Sequence, residues 1–497
     1  MILISAQSKV NCLPYFTPEM TGEVKGARLT SYSIALEAWR RGLKVVIHDR
    51  RMRRYTIGSE RPSWRNGINF IINRVKKSPR FSIGPNKRSY TFRSSQVIDH
   101  FFKPTKFICD NKDLAKDCLS KAKVPVPKGK RFNSNIPEKD IIKYALNHFS
   151  FPLVIKPAAA SLGRGVFVNI ENRETLERLL AHVRKELGYK DVIIEEHVYG
   201  EDYRVFVLGG KALSVVKRIP ANITGDGKSR VRELIEKKNR SRRANPYLAK
   251  GLIKIDQEVL DRLKTAGYNL DSVPQEGELV FLRGKSNLSA GGDSVEVTDV
   301  APQKLKNLAE RAVKAVPNLH SCGVDVLFRK TEAGKETGVV IELNYLAHLG
   351  LHLFPVKGKA RDVAAAIVDY YFPESAGRRG SRSRLYFDLR ILKDFFNGGS
   401  VDSIVLPQLS PGRIRYRRLE LKGIIPEDSK KQLQRRAIKL NLFGHARDLE
   451  NGNTRVVLAG KKRDIDSFKS FLSSDLHVEI VDERNWRKAV AAGFHIM

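Results

Sequence analysis

The chain has 497 residues, 41% of them apolar, and its 90 Lys and Arg against 54 Asp and Glu give a formal net charge of +36. Such a length predicts roughly three or four domains of about 100–200 residues, and no apolar run approaches the roughly 18 residues of a membrane span. The charge draws anions (nucleotides, nucleic acid, acidic polymers or anionic membrane), or reflects a surface tuned for solubility.

Cys12, Cys109, Cys118 and Cys322 are scattered, which argues against a metal-type pairing and for reduced thiols in a cytoplasmic protein. The opening "MILISAQSKV" lacks the basic leader of a signal peptide. Residues 1–104 are expected to form an N-terminal α/β scaffold or substrate lobe. In it "LTSYSIALEAWRRGL" has helical period and "KVVIHD" reads as a strand. Next come a helix at "NKDLAKDCLSKAK", a proline-marked strand at "VPVPKGKRF" and a second helix. "FPLVIKPAAASLGRGVFVNI" reads as strand, small-residue loop and strand, "RETLERLLAHVRKEL" as helix and "DVIIEEHV" as strand. "YRVFVLGGKALSVVKR" predicts two strands joined by Gly209-Gly210, a two-residue hairpin signal. Residues 226–273 are polar and mostly helical, "QKLKNLAERAVKAV" is a helix, and "GVDVLFRKTEAGKETGVVIELN" is another hairpin. "ESAGRRGSRSR" opens a basic linker over 374–412, and residues 413–497 form a small α+β unit.

Three stretches carry chemistry. A hairpin turn near Ala333-Gly334 would bring Asp325 opposite Glu342, with Asn344 two residues along on the same face. Two carboxylates that close repel unless a cation lies between them, and oxygen donors of this kind suit Mg2+. The bland alternative is a solvated hairpin face, against which the flanking Val and Ile runs argue. In "VIKPAAASLGRGV", Lys156 ends an apolar strand before a loop with Ser161, Gly163 and Gly165. That composition suits a phosphate flap, or a plain β-turn. In "IIEEHVYGEDYR" a strand ends at Glu195-Glu196 and Asp202 follows. Those acids could serve a nucleoside, or stand solvated at a strand end.

The order of these signals closely resembles the ATP-grasp ligases over about 105–373. The likeness is strongest to the ATP-grasp part of cyanophycin synthetases and weaker to glutathione-forming and D-alanine–D-alanine ligases. It rests also on "EDYRVFVLGGKALSVVKRIPANITGDGKSRVRELI" and "DRLKTAGYNLDSVPQEGELVFLRGKSNLSAGGDSVEVTD". The resemblance implies an ATP-grasp fold whose two α+β subdomains clasp ATP, within an α/β and α+β multidomain protein whose N-terminal α/β lobe and small C-terminal sandwich lie outside the likeness. It implies ATP with Mg2+ as two ions, and a carboxylate–amine ligase that works through an acyl phosphate. Lys112 and Lys156 would hold phosphates beneath the Ser161–Gly165 flap. Glu195 and the Glu196, His197 and Val198 backbone would receive adenine, and Asp202 the ribose. Arg218, Lys228 and Arg283 would face the γ-phosphate or a substrate carboxylate. Asp325, Glu342 and Asn344 would bind the metal.

The resemblance stops at "YLAHLGLH", where the family has Pro-Gly and an arginine. His348 and His352 lie there, as packed histidines or as contacts to an acceptor. Residues 413–497 resemble an acylphosphatase-like domain, yet the anion loop "KGIIPEDSKK" has no arginine and Asp448 stands where a catalytic asparagine belongs. That domain is expected to be hydrolytically inactive. The expected partners are amino acid or peptide substrates, an acidic polymer on the basic strip with "RIRYRR", and a second copy of the chain. No nucleic-acid motif accompanies the charge. The competing reading is a regulatory ATP-binding protein with an acidic-polymer or nucleic-acid partner.

Overall fold

A computed structural model describes residues 10–48, 54–58, 89–98, 102–158, 165–378, 383–397, 403–407, 409 and 412–497. Ser161 and Gly163 therefore lie outside the described residues. The chain divides into two compact units, Met1–Asn11 with Ile98–Val363 and Cys12–Val97 with Ala364–Met497.

Among the described residues, the first unit holds antiparallel sheets of four, five and two strands. The four-stranded sheet orders its strands Gly129–Phe132, Val192–Glu196, Leu153–Pro157, Phe167–Ile170. Strand side chains alternate between faces. Leu153, Ile155, Val192 and Ile194 thus point into a core with Ile141, Ala145, Leu176 and Leu180 of the covering helices. The intervening Lys156 and Glu195 are left on the opposite face.

The five-stranded sheet orders Asp293–Glu296, Lys211–Ile219, Glu201–Leu208, Ser321–Lys330, Glu336–Asn344. Gly209 and Gly210 have φ of +56° and +77°, the left-handed pair that a tight two-residue hairpin needs. The Gln303–Lys314 helix lays Leu305, Leu308, Ala309 and Ala312 over Tyr203, Val205, Val207, Val324 and Val326. Each fully buried valine of that set contributes about 1.5–3 kcal/mol. Alternation then sends Asp202, Arg204, Arg218 and Asp325 to the other face. An insertion follows Ile219: a two-stranded pair, Asn222–Thr224 with Leu279–Phe281, and the Val231–Ala244 and Gln257–Thr265 helices around a small core of their own.

In the second unit, the Arg28–Arg40 helix is buried almost all round. Lys44–Ile47, Arg54–Gly58, Ser89–Arg93 and Gln96–Val97 form a sheet whose edge is completed by Ile404–Val405. Buried Arg41 holds Glu37 at 2.7 Å and Asp369 at 2.6 Å. The C-terminal sheet orders Ile480–Asn485, Arg415–Leu421, Thr454–Gly460, Phe443–Asp448, Phe494–Ile496, under the helices Glu427–Lys439 and Lys462–Ser474. Its first six elements follow a βαββαβ path.

Two expectations need correction. The stretch 374–412 carries elements of its own, including Leu385–Tyr386, Leu389–Asn397 and Ile404–Val405. Its Leu385, Phe387, Leu389, Ile404 and Leu406 are buried, so apolar burial overrides the Gly, Ser and Arg of its opening. Residues 12–97 form one compact unit with the C-terminal part of the chain rather than a lobe of their own.

Candidate functional site

The Asp325–Glu342 juxtaposition is present: the strands pair Asp325 with Glu342 and Gly323 with Asn344, and the register shifts by one beyond Asp325. Asp325 is almost fully buried, because neighbouring strands supply its counter-ions. Arg204 lies opposite it on the adjacent strand and donates to both carboxylate oxygens, to Oδ2 at 3.0 Å. Gly323 makes room for that guanidinium, since a Cβ there would lie 3.0 Å from Arg204 Cδ. Arg218 sits opposite Asp202, binds its Oδ1 through Nη2 at 2.6 Å, and reaches Asp325 Oδ2 at 3.3 Å.

Two arginines and two aspartates thus share one buried patch. Burial raises the Asp202 carboxyl, which Arg218 only partly offsets. Burial likewise opposes ionisation of Asp325, but Arg204 and Arg218 outweigh it and hold its carboxyl low. Burial works against the Arg218 charge, and Asp325 and Asp202 overcome it. Asn344 Nδ2 donates to Asp325 Oδ2 at 3.3 Å, which leaves its oxygen for another partner.

A second cluster joins this one. Asn111 caps the Lys112–Lys121 helix by accepting from Asp113 and Leu114 N–H, the usual service of an N-cap asparagine. That sets Lys112 and Lys116 one turn apart on the same face. Lys112 Nζ lies 3.6 Å from Glu342 Oε1. Glu195 accepts from Lys116 on one oxygen and from Lys156 on the other at 2.7 Å. Burial pushes the Lys116 ammonium down to about 8. Lys156 falls well below the usual lysine range through burial, with Lys116 and Lys112 adding repulsion. Three ammonium groups around Glu195 and Glu342 make a place where an anion is favoured.

Glu195 is therefore engaged by lysines rather than open to a base, and Asp202 by arginine rather than by a free hydroxyl. At the end of the Val192–Glu196 strand, Glu196 N–H donates to Lys128 O and His197 N–H to Pro152 O, both at 2.8 Å, so neither N–H is open to a base. His197, Val198 and Tyr199 border a cavity of about 800 Å³ whose other walls include Leu308 and Arg311 of the Gln303–Lys314 helix, and none of the lysines or oxygen donors above lines it. Gly165, with φ of +65°, lies over Pro157. Lys228 is exposed in a turn closed by Asp226. Arg283 is held by Asp256 and Glu258 of the insertion. No described contact joins Lys228 or Arg283 to the Asp325 patch.

Sequence reasoning missed Lys116, Arg204 and Tyr247. Arg204 was available from the same two-residue spacing that links Glu342 and Asn344, because it follows Asp202 by two on one strand. Lys116 was available from its four-residue offset to Lys112. Tyr247 comes from a distant loop, and burial pushes its hydroxyl up against the opposing pull of Arg204 and Arg218. It meets the His348 ring edge-on at 6.4 Å. His348 is driven down to about 4 and His352 to about 3, by burial and then by Arg204. His352 is packed, with Nδ1 2.7 Å from Ser214 Oγ.

Among the described residues, no group of three or more His, Cys, Asp or Glu side chains could hold a metal ion. The donors that remain are hard oxygens: Glu342, the Asn344 amide and the lone pairs of Asp325 not taken by guanidinium. That set fits Mg2+ shared with ligand phosphates, not a cage made by protein alone. No helix among the described residues is long and apolar enough to cross a membrane.

Residues 110–220 match the family model described as the phosphoribosylglycinamide synthetase, ATP-grasp (A) domain. The chain is 35% identical over 277 residues to a cyanophycin synthetase of Synechocystis sp., covering 54% of this chain and 31% of that one. It is 34% identical over 285 residues to the glutathione biosynthesis bifunctional protein GshAB of Pasteurella multocida, covering 56% of this chain and 37% of that one. It thus spans about a third of the length of these curated relatives. A crystal structure of a bifunctional glutathione synthetase from Pasteurella multocida overlays with a TM-score of 0.44 at 29% identity, over 57% of this chain and 39% of that one. Residues 110–220 thus match an ATP-grasp domain model, and a little more than half of the chain is similar in sequence to a cyanophycin synthetase and to a GshAB protein.

Proposed function

We propose that the protein is an ATP-dependent carboxylate–amine ligase that joins an amino acid or peptide carboxylate to an amine in the cytoplasm. The observation that carries this reading is the ion pair from Lys112 to Glu342, which ties three lysines to the oxygen patch. A triphosphate lying between them would meet ammonium groups on one side and metal-binding oxygens on the other.

In the proposed reaction a donor carboxylate attacks the γ-phosphorus, the bond to the β-phosphate oxygen breaks, and ADP leaves an acyl phosphate. The amine then attacks the acyl carbon, loses a proton and expels phosphate. Such transfer needs positioning and charge neutralisation more than a side-chain nucleophile. Lys112, Lys116 and Lys156 neutralise the phosphates, and Arg204 and Arg218 face the transferred group or the donor carboxylate. Glu342, Asn344 and Asp325 would hold Mg2+, as two ions, which neutralises charge as it develops.

We read the C-terminal βαββαβ part as an acylphosphatase-like fold without hydrolase activity. Asp448 is committed to Lys430 at 2.8 Å and to Thr454 at 2.9 Å, and a carboxylate there repels an acyl phosphate. The test of the ligase reading is Mg2+-dependent ADP release over pairs of amino acids and short peptides, with mass analysis of the product. Firm ATP binding with no turnover for any pair would overturn it in favour of a regulatory nucleotide-binding protein.

A further inference from the structure

The C-terminal sheet buries one face and leaves charge on the other. Leu419, Leu421, Ala446, Val456 and Leu458 point into the helix-covered core. Alternation sends Arg418, Arg447 and Arg455 to the opposite face. The register sets Arg447 directly across from Arg455, and Arg455 across from Glu420. One row along, Arg418 neighbours Arg484.

The acids of this face are already engaged. Asp482 takes Arg418 at 2.6 Å and Arg484 at 3.0 Å. Glu420 accepts from Asn451 at 2.9 Å, Asn453 at 3.0 Å and Arg418 at 3.3 Å. Among the described residues, Arg447 and Arg455 have neither a side-chain hydrogen bond nor an ion pair, and Arg455 Nε is buried without an acceptor. Burial, with Arg418 and Arg447 beside it, pushes Arg455 below the usual arginine range. Like charges directly opposite on paired strands are destabilising, and Glu420, the acid across from Arg455, is bonded to Asn451, Asn453 and Arg418 rather than to either arginine of the pair.

We propose that Arg447 and Arg455 form a binding site for a phosphate group of a small molecule. Two guanidinium forks can each take two oxygens of one phosphate, and the anion removes the repulsion between them. A single-stranded nucleic acid would need open aromatic platforms on this face. Trp486 instead meets His445 edge-on at 6.2 Å. The site lies in the unit that does not hold the lysine and Asp325 clusters, and it stands independently of the ligase reading.

The experiment is thermal unfolding of the full chain with sodium tripolyphosphate at constant ionic strength. Every background carries Lys112→Ala, Lys116→Ala and Lys156→Ala, so that the nucleotide-side lysines contribute nothing to the anion response. The parent should gain roughly 2–4 °C in a saturable way. Arg447→Gln with Arg455→Gln, and separately Arg447→Glu, should unfold at a higher temperature than the parent without the anion and lose most of the anion-dependent gain. An equal gain in parent and variants overturns the site. A single-stranded oligonucleotide that displaces tripolyphosphate, with steep salt dependence, overturns the choice of a small phosphate compound.

Discussion

Arg204 and Asp325 face each other across adjacent strands, and the guanidinium binds both oxygens of an almost fully buried carboxylate. Removing Arg204 leaves that buried carboxylate only the longer contacts to Arg218 and Asn344, both at 3.3 Å. Arg204→Ala should therefore cost about 3–5 kcal/mol. Urea unfolding measures it, and Arg204→Met combined with Asp325→Asn should recover much of the loss. A double variant as unstable as the sum of the singles would mean the two side chains act separately.

Glu342 is half-exposed and reaches Lys112 at 3.6 Å, so it is free to turn towards a cation. Glu342→Gln keeps the shape and removes the charge. It should lower Mg2+-dependent ADP release on the order of 10²-fold while leaving the melting temperature nearly unchanged. An undiminished rate at saturating Mg2+ would remove Glu342 from the proposed metal site.

Lys116, with its ammonium pushed down to about 8, gives a pH signature. It is charged below that value and neutral above it, so nucleotide affinity should fall as pH rises through about 8. The effect on stability has the opposite sign. The unfolded chain holds this proton up to the ordinary lysine range, so the cost of burying the charge disappears as pH rises above about 8. Titration calorimetry with ATP from neutral to alkaline pH should show the fall. Lys116→Arg, which stays charged, should flatten it.

Gly350 lies against the Tyr247 ring, where a Cβ would come within 2.2 Å of Cδ2. Gly350→Ala should push Tyr247 towards the Arg204 and Arg218 patch. In a reconstituted assay the expected result is a raised KM for one substrate with KM for ATP unchanged. Equal changes in both would indicate a general loss of packing instead.

The charge, the strand and helix pattern of 111–344, the Gly209-Gly210 hairpin and the facing of Asp325 and Glu342 were all legible in the sequence. Each depends on local periodicity or on turn chemistry, which neighbouring residues decide. Only the tertiary structure decided that Arg204 clamps Asp325, that Lys116 and Lys156 share Glu195, and that Tyr247 approaches the arginines. Those partners come from separate strands, helices and loops, and long-range pairing brings them together. The grouping of residues 12–97 with the C-terminal part was hidden for the same reason. A two-residue strand such as Ile404–Val405 has too little pattern to announce itself, yet it pairs with Val46 and Ile47. In this protein the sequence by itself determined which residue types face which way, and the fold decided which of them meet, because charge pairing and burial act through space rather than along the chain.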